Sequence, residues 1–355
     1  MFIGRIGISL IRQKRISPSP SATATATATT IITIASSIRS INIMAHELEI
    51  VSKTRVVEEG YSSPSSSSSS SSSEYETGCY HRISHSSSST STKMIFGLFL
   101  PSNYKNESTS NTPVMFWLSG LTCDDTNFAM KAGSRAFKAA EEQGIAIIMP
   151  DTSPRHDDSI PNVDSYDLGI GAGFYVNATT ETYKKHYNMY NYITVELPQI
   201  LNEKFNIGKD GAKSISGHSM GGHGSLTIAF REGPGAWKSV SAFAPICNPT
   251  NCPWGQKAFP AYLGNVESGK GHDATCLLEG MEKEKVLYDD VLIDQGTADN
   301  FLEEQLKPEK LVEAAKKCEQ KVTLNMRNGF DHSYYFIAAF IESHVSFHGK
   351  YLNQK

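Results

Sequence analysis

Cysteine is scarce in this chain. Its six residues, at 79, 123, 247, 252, 276 and 318, show neither the paired spacing of a zinc site nor the density of a disulfide scaffold. Reduced thiols in a cytosol-like compartment are therefore expected. Positive charge is not in excess either: 33 Lys and Arg stand against 37 Asp and Glu, a net charge of −4. With no basic cluster in the part expected to fold, this argues against a nucleic-acid partner. Acid is absent altogether from residues 1–46, which carry Arg5, Arg12, Lys14, Arg15 and Arg39 and an Ala-Thr tract at 22–30. That balance is the one found in organellar transit peptides. Long apolar runs are missing there and charge interrupts the short ones, so neither a membrane span nor a secretory signal fits, and no membrane partner is expected. Asn106-Glu107-Ser108 and Asn177-Ala178-Thr179 match the glycosylation pattern, which stays idle unless the chain is secreted.

What is present divides the chain into three stretches. Residues 1–46 are expected to be a disordered, transit-peptide-like extension, although Met44, followed by Ala45-His46-Glu47-Leu48-Glu49, offers a competing cytosolic start. Residues 47–92 form a variable region with a serine tract at 65–73 and more serine at 86–89. Such serine-rich sequence cannot bury enough apolar surface to order itself and is expected to be a flexible insertion. It puts the pairing of residues 51–85 in doubt. Residues 93–355 are long enough for one domain with a substantial core. Candidate strands lie at 94–99, 114–119, 145–150, 213–217, 239–245, 290–295 and 321–327, most of the later ones separated by helices. That alternation predicts a mostly parallel sheet flanked by helices, with right-handed crossovers gathering the functional loops at one edge.

The motif that carries chemistry is Gly217-His218-Ser219-Met220-Gly221, a Gly-x-Ser-x-Gly pattern. The alternating run 212–216 precedes it as a strand, and Met220 to Phe230 follows it as a helix. A turn sharp enough to hold a strained serine leaves no room for a β-carbon at 217 or 221, and Ser219 would project its hydroxyl from the turn. An elbow serine needs a base and an orienting acid, in the order Ser, Asp or Glu, His. After the apolar run Val291-Leu292-Ile293 come two acids, Asp294 and Asp299. Asp299 follows a glycine turn that can aim it back across the sheet and is favoured; Asp294 is left to hydrogen bonds with the loop backbone. His332 sits in the loop 328–333, after the strand-like run 322–326 and just before a helix that begins near Tyr334.

The other histidines receive different readings. His344 and His348 stand four apart on the terminal helix, but lack a glutamate between them and a third ligand nearby, so they are read as a solvated helix face and no metal is expected. His218 and His223 flank the serine and are given packing or hydrogen-bonding roles. An oxyanion hole needs two amides: Met220, after the nucleophile, supplies one, and Leu121, in the loop after the strand-like run 114–118, supplies the other, with Gly120 permitting a tight backbone.

These residues resemble one family, the S-formylglutathione hydrolases or esterase D. The resemblance runs from about Lys93 to the end, through Trp117 to Cys123, Pro150 to Arg155, Gly171 to Val176, Gly217 to Gly224, Ser241 to Pro249, Cys252 to Gly255 and Asp331 to Phe336. It implies an α/β-hydrolase thioesterase that splits S-formylglutathione into formate and glutathione, completing glutathione-dependent removal of formaldehyde without a cofactor. It agrees with Ser219, Asp299 and His332 as the triad and with the Leu121 and Met220 amides as donors. By the same resemblance Cys123 matches a cysteine near the active site linked to sensitivity to thiol reagents; a buried cysteine packing as a small hydrophobe is the competing reading. Trp254 and Phe174 are expected to restrict the acyl side of the pocket, with simple packing as the competing reading. The family also implies a homodimer and a cytoplasmic enzyme, with a plastid or mitochondrial form through residues 1–46 as the alternative. Two other functions are weighed: a broad carboxylesterase or acyltransferase sharing the triad, and a non-catalytic binding protein, which the complete triad argues against.

Overall fold

The computed structural model describes residues 47–57, 75–161, 163–283 and 285–354. The stretch 1–46 and the serine tract 65–73 lie outside the described residues. Nine strands make one sheet: β1 Leu48–Arg55, β2 Cys79–Ser87, β3 Thr92–Leu100, β4 Val114–Leu118, β5 Ala146–Pro150, β6 Lys213–Gly217, β7 Val240–Phe243, β8 Val291–Gly296 and β9 Val322–Arg327, in the order β1-β2-β3-β5-β4-β6-β7-β8-β9. β1, β2, β3 and β5 pair antiparallel, and from β5 to β9 every pairing is parallel. The seven strands read from sequence are all there. The pairing of residues 51–85, left in doubt by the insertion, is formed: β1 runs beside β2 from Leu48↔His85 to Arg55↔Cys79.

Strands β4 and β5 are apolar throughout because both faces are covered. Val-Met-Phe-Trp-Leu in β4 and Ala-Ile-Ile-Met-Pro in β5 are buried at every position, the pattern of a parallel sheet between two helical layers. The chain steps from β4 to β5 towards one edge and from β6 through β9 towards the other. Right-handed crossovers then put the connecting helices on opposite faces. Helices α1 Asn127–Lys131 and α2 Gly133–Gln143 follow β4; α2 buries Ala136, Phe137, Ala139 and Ala140, and stops at Gly144, whose φ of 67° closes the last turn in a left-handed cap. Helix α3 Leu197–Phe205 precedes β6, and α4 Met220–Glu232 follows it. Helices α5 Pro253–Leu263 and α6 Ala274–Glu279 lead to β8, α7 Pro308–Lys317 to β9, and α8 Tyr334–Leu352 ends the chain, packing against α2. Among the described residues no helix is long and apolar enough to cross a membrane.

Two expectations fail in the fold. Serines 86–89 are ordered, not part of a flexible insertion: Ser86 and Ser87 end β2, and the turn after them closes on one carboxylate. Glu196, buried in a π-helical turn Tyr192–Glu196, accepts bonds from the Ser87 hydroxyl at 2.8 Å and from the Ser88 and Ser89 amides at 2.8 and 2.9 Å. A long-range acceptor, invisible from composition, orders this serine run. His344 and His348 are not a solvated face either. Both are fully buried, because α8 lays them on a row of serines that face the same side of β6 and β7. His348 bridges Ser239 and Ser241 with both ring nitrogens at 2.8 Å, His344 Nδ1 meets Ser241 at 2.9 Å, and those serines pair with Ser214 and Ser216 at 2.8 Å. A spacing of four between polar residues suggests an exposed face, but here it is the sheet-facing side of α8 that is polar.

Candidate active site

The parallel register brings five loops to one edge of the sheet. Leu118 pairs with Gly217, Phe243 with Asp294, and Gly296 with Arg327, so the turns after β4, β6, β7, β8 and β9 open side by side. Their backbones hold unusual conformations: Thr122, Ser219 and Ala244 have φ of 66°, 57° and 41°. Non-glycine residues persist there only when their neighbours over-determine them, at a cost of roughly 1–3 kcal/mol each.

Ser219, with φ 57° and ψ −117°, caps the N-terminus of α4. Its amide donates to the Phe243 carbonyl at 3.0 Å, and its carbonyl accepts from Ile246 at 3.3 Å and His223 at 2.9 Å. The two glycines of the motif are explained by close approach. A β-carbon on Gly221 would lie 1.9 Å from the Leu118 carbonyl oxygen, and one on Gly217 2.4 Å from that of Gly221. The loop after β4 presses on the serine from the other side: a β-carbon on Gly120 would lie 3.1 Å from Ser219 Cβ. In these loops the Thr122 amide donates to Gly171, the Cys123 amide to Gly120 and the Gly221 amide to His218. The Leu121 and Met220 amides take part in none of these bonds.

His332 Nδ1 lies 2.6 Å from Asp299 Oδ2, and the His332 ring packs against that of His218, the residue before Ser219. The Asp299 side chain is wholly buried, whereas His332 keeps 18% of its side chain open. Asp299 is held in turn by the Gln295 amide group at 3.2 Å and the Phe301 backbone amide at 2.9 Å. Asp294 faces away. Its carboxylate binds the Asn325 side chain and Arg327 Nε, each at 2.8 Å, with His344 Nε2 at 3.7 Å. Side chains rather than loop backbone occupy it. His218 sets its ring 4.4 Å from that of His332, tilted by 44°; burial, and then the neighbouring His332, hold its pKa well below the usual imidazole range. His223 Nε2 meets the Phe174 carbonyl at 3.1 Å, and burial pushes its pKa down to about 4.

The remaining candidates fall around this core. Cys123 is 8% exposed, 3.8 Å from the Tyr334 hydroxyl, and burial pushes its thiol up. Trp254 is buried at the start of α5, its ring 4.8 Å from Phe301, which sits 5.0 Å from His332; its Nε1 donates to Tyr166 at 3.0 Å. Phe174 is fully buried, its ring between those of His223 and Phe259. Sequence reasoning missed Phe301, Gln295 and Tyr334. Strand alternation could have found Gln295, since a residue next to Asp294 must face the opposite side of β8. Phe301 lay two residues beyond the chosen acid, inside the loop that acid caps.

The Esterase family model matches residues 87–347. An S-formylglutathione hydrolase from Arabidopsis thaliana is 49% identical over 276 residues, 78% of this chain and 94% of that one. Its counterpart from Mus musculus is 48% identical, covering 76% and 93%. The solved S-formylglutathione hydrolase of Agrobacterium tumefaciens superposes with a TM-score of 0.71 at 38% identity, covering 78% and 96% of the two chains. The sheet and its helical layers are those of an α/β-hydrolase. The chain is a hydrolase of the Esterase family and belongs to the S-formylglutathione hydrolases.

Proposed function

We propose that this enzyme hydrolyses S-formylglutathione to formate and glutathione through a formyl-Ser219 intermediate. The strongest support is the 2.6 Å bond between His332 and buried Asp299, with the His332 ring packed against His218, the neighbour of a serine held in strained backbone. Asp299 fixes the tautomer with the proton on Nδ1, leaving Nε2 as the base. Ser219 Oγ attacks the formyl carbon and passes its proton to His332. The oxyanion of the tetrahedral adduct is held by the Leu121 and Met220 amides. Collapse breaks the carbon–sulfur bond, and the imidazolium protonates the departing glutathione sulfur. Water, deprotonated by His332, then attacks the ester and releases formate.

Trp254, with Phe301 between it and His332, is the residue set to restrict the acyl group; Phe174 acts through His223. Cysteine spacing without the pattern of a disulfide framework favours a cytoplasmic enzyme acting after the reaction that joins the carbon of formaldehyde to glutathione. Ser219→Ala tests the assignment: turnover should fall by roughly 10⁴–10⁶-fold while thermal unfolding stays the same. Retained activity in a folded variant would remove Ser219 as the nucleophile.

A further inference from the structure

We infer that Asp151 and Arg155 are positioning residues for the oxyanion site: their buried ion pair grips the Cys123 carbonyl and so fixes the Leu121 amide two residues earlier. The inference rests on Leu121 being an oxyanion donor, as proposed above. Asp151 follows the last residue of β5 and is 1% exposed. Arg155 Nε donates to Asp151 Oδ2 at 2.7 Å and Nη2 donates to Oδ1 at 2.7 Å. The same Nη2 also donates to the Cys123 carbonyl at 2.9 Å, which Thr152 Oγ1 joins. The amides of Thr152 and Ser153 complete the carboxylate.

A second tie runs parallel to the first. The Ser153 hydroxyl accepts from the Gly171 amide at 2.8 Å, and the Gly171 carbonyl accepts from the Thr122 amide at 2.9 Å. Residues 151–155 thus hold Thr122 and Cys123, while Gly120 rests on Ser219; Leu121 lies between two fixed ends. Thr122 sits at φ 66°, a conformation costly for a β-branched residue and kept only under such constraint. A buried ion pair adds little net stability over a well-packed apolar substitute. What this pair does supply is a planar, forked guanidinium whose donors are fixed in direction, which a lysine cannot imitate.

The test compares Asp151→Asn and Arg155→Met in the full chain with Glu196→Gln, whose carboxylate serves the turn after β2. For the first two variants kcat on p-nitrophenyl acetate should fall roughly 10- to 100-fold, with KM held within about twofold. Affinity for a trifluoromethyl ketone, whose hemiketal oxyanion occupies the same donors, should fall by the same factor. Glu196→Gln should lose thermal stability with kcat unchanged. Unchanged kcat in Arg155→Met, a rise in KM alone, or ketone affinity that does not follow kcat would overturn the inference. If Asp151→Asn does not fold, Arg155→Lys, which keeps charge and bulk but not the fork, carries the same readouts. Ser219→Ala, run in parallel, separates the two readings. Activity surviving there defeats the catalytic assignment, whereas full kcat in Arg155→Met with Ser219→Ala inactive defeats only the positioning role.

Discussion

Asp294 and Asp299 lie five residues apart in different settings, the first inside β8 and the second in the loop beyond its end at Gly296. Asp294 points to α8 and is occupied by Asn325 and Arg327, so it locks β8 to β9. Asp299, past the turn, has the Phe301 amide and Gln295 as supports and one oxygen for His332. Asp299→Asn should lower kcat by about 10⁴-fold, because an amide there favours the wrong imidazole tautomer. Asp294→Asn should lose thermal stability and leave kcat within a few-fold. The reverse ranking in steady-state kinetics would exchange the two roles. Gly221→Ala is a second test at single-residue scale. Its β-carbon would stand 1.9 Å from the Leu118 carbonyl oxygen, and since backbone cannot yield there, esterase activity should be lost with any folded protein that forms.

The strand-turn-helix around Ser219 was legible in the sequence because all of its determinants are local: an alternating strand, two glycines and a small-residue helix. The turn after β2 was not. Ser86 to Ser89 look like linker, and what orders Ser87, Ser88 and Ser89 is Glu196, more than a hundred residues away. Burial would raise the Glu196 pKa, but the donors from those three residues outweigh it and keep the group below the usual glutamate range. Glu196→Gln should therefore destabilise the fold by roughly 1–3 kcal/mol, the cost of unmatched buried donors, seen as a lower midpoint in a thermal scan. Helix α8 shows the same effect from the opposite direction. His344 and His348 carried the spacing of an exposed polar stripe, yet they complete a buried network with Ser239 and Ser241. A helix pattern alone does not show that the facing strands are polar too.

For the whole molecule, the buried imidazoles set the acid limit. Burial pushes His81 and His223 down to about 4 and holds His218 and His348 well below the ordinary histidine value. Their folded pKa values lie under the unfolded value near 6.5, so the unfolded chain binds protons first as pH falls. The stability they contribute is complete above pH 6.5 and is lost as pH drops from there towards 4. A tenfold loss of proton affinity on folding is worth about 1.4 kcal/mol, so the loss over this range is a substantial part of a domain's total stability of about 5–15 kcal/mol. Thermal scans should show the midpoint falling steeply between about pH 6 and 4 with proton uptake on unfolding. A flat profile over that range would mean these rings are protonated in the fold. The parallel sheet and the edge at which its loops gather were legible in the sequence, since both follow from alternation and chirality. The ties that run between loops, such as Arg155 to Cys123, were not, because a hydrogen bond between residues distant in the chain leaves no periodic mark.

The formyl-thioesterase assignment stands or falls on kcat/KM of the full chain for S-formylglutathione, S-acetylglutathione and p-nitrophenyl acetate, with Ser219→Ala as the control. The formyl thioester should lead the acetyl thioester by roughly 10-fold or more, the discrimination one extra carbon supplies in a fitted pocket, and Ser219→Ala should be inactive on all three. Comparable values on the three substrates would contradict the assignment and make this a general esterase.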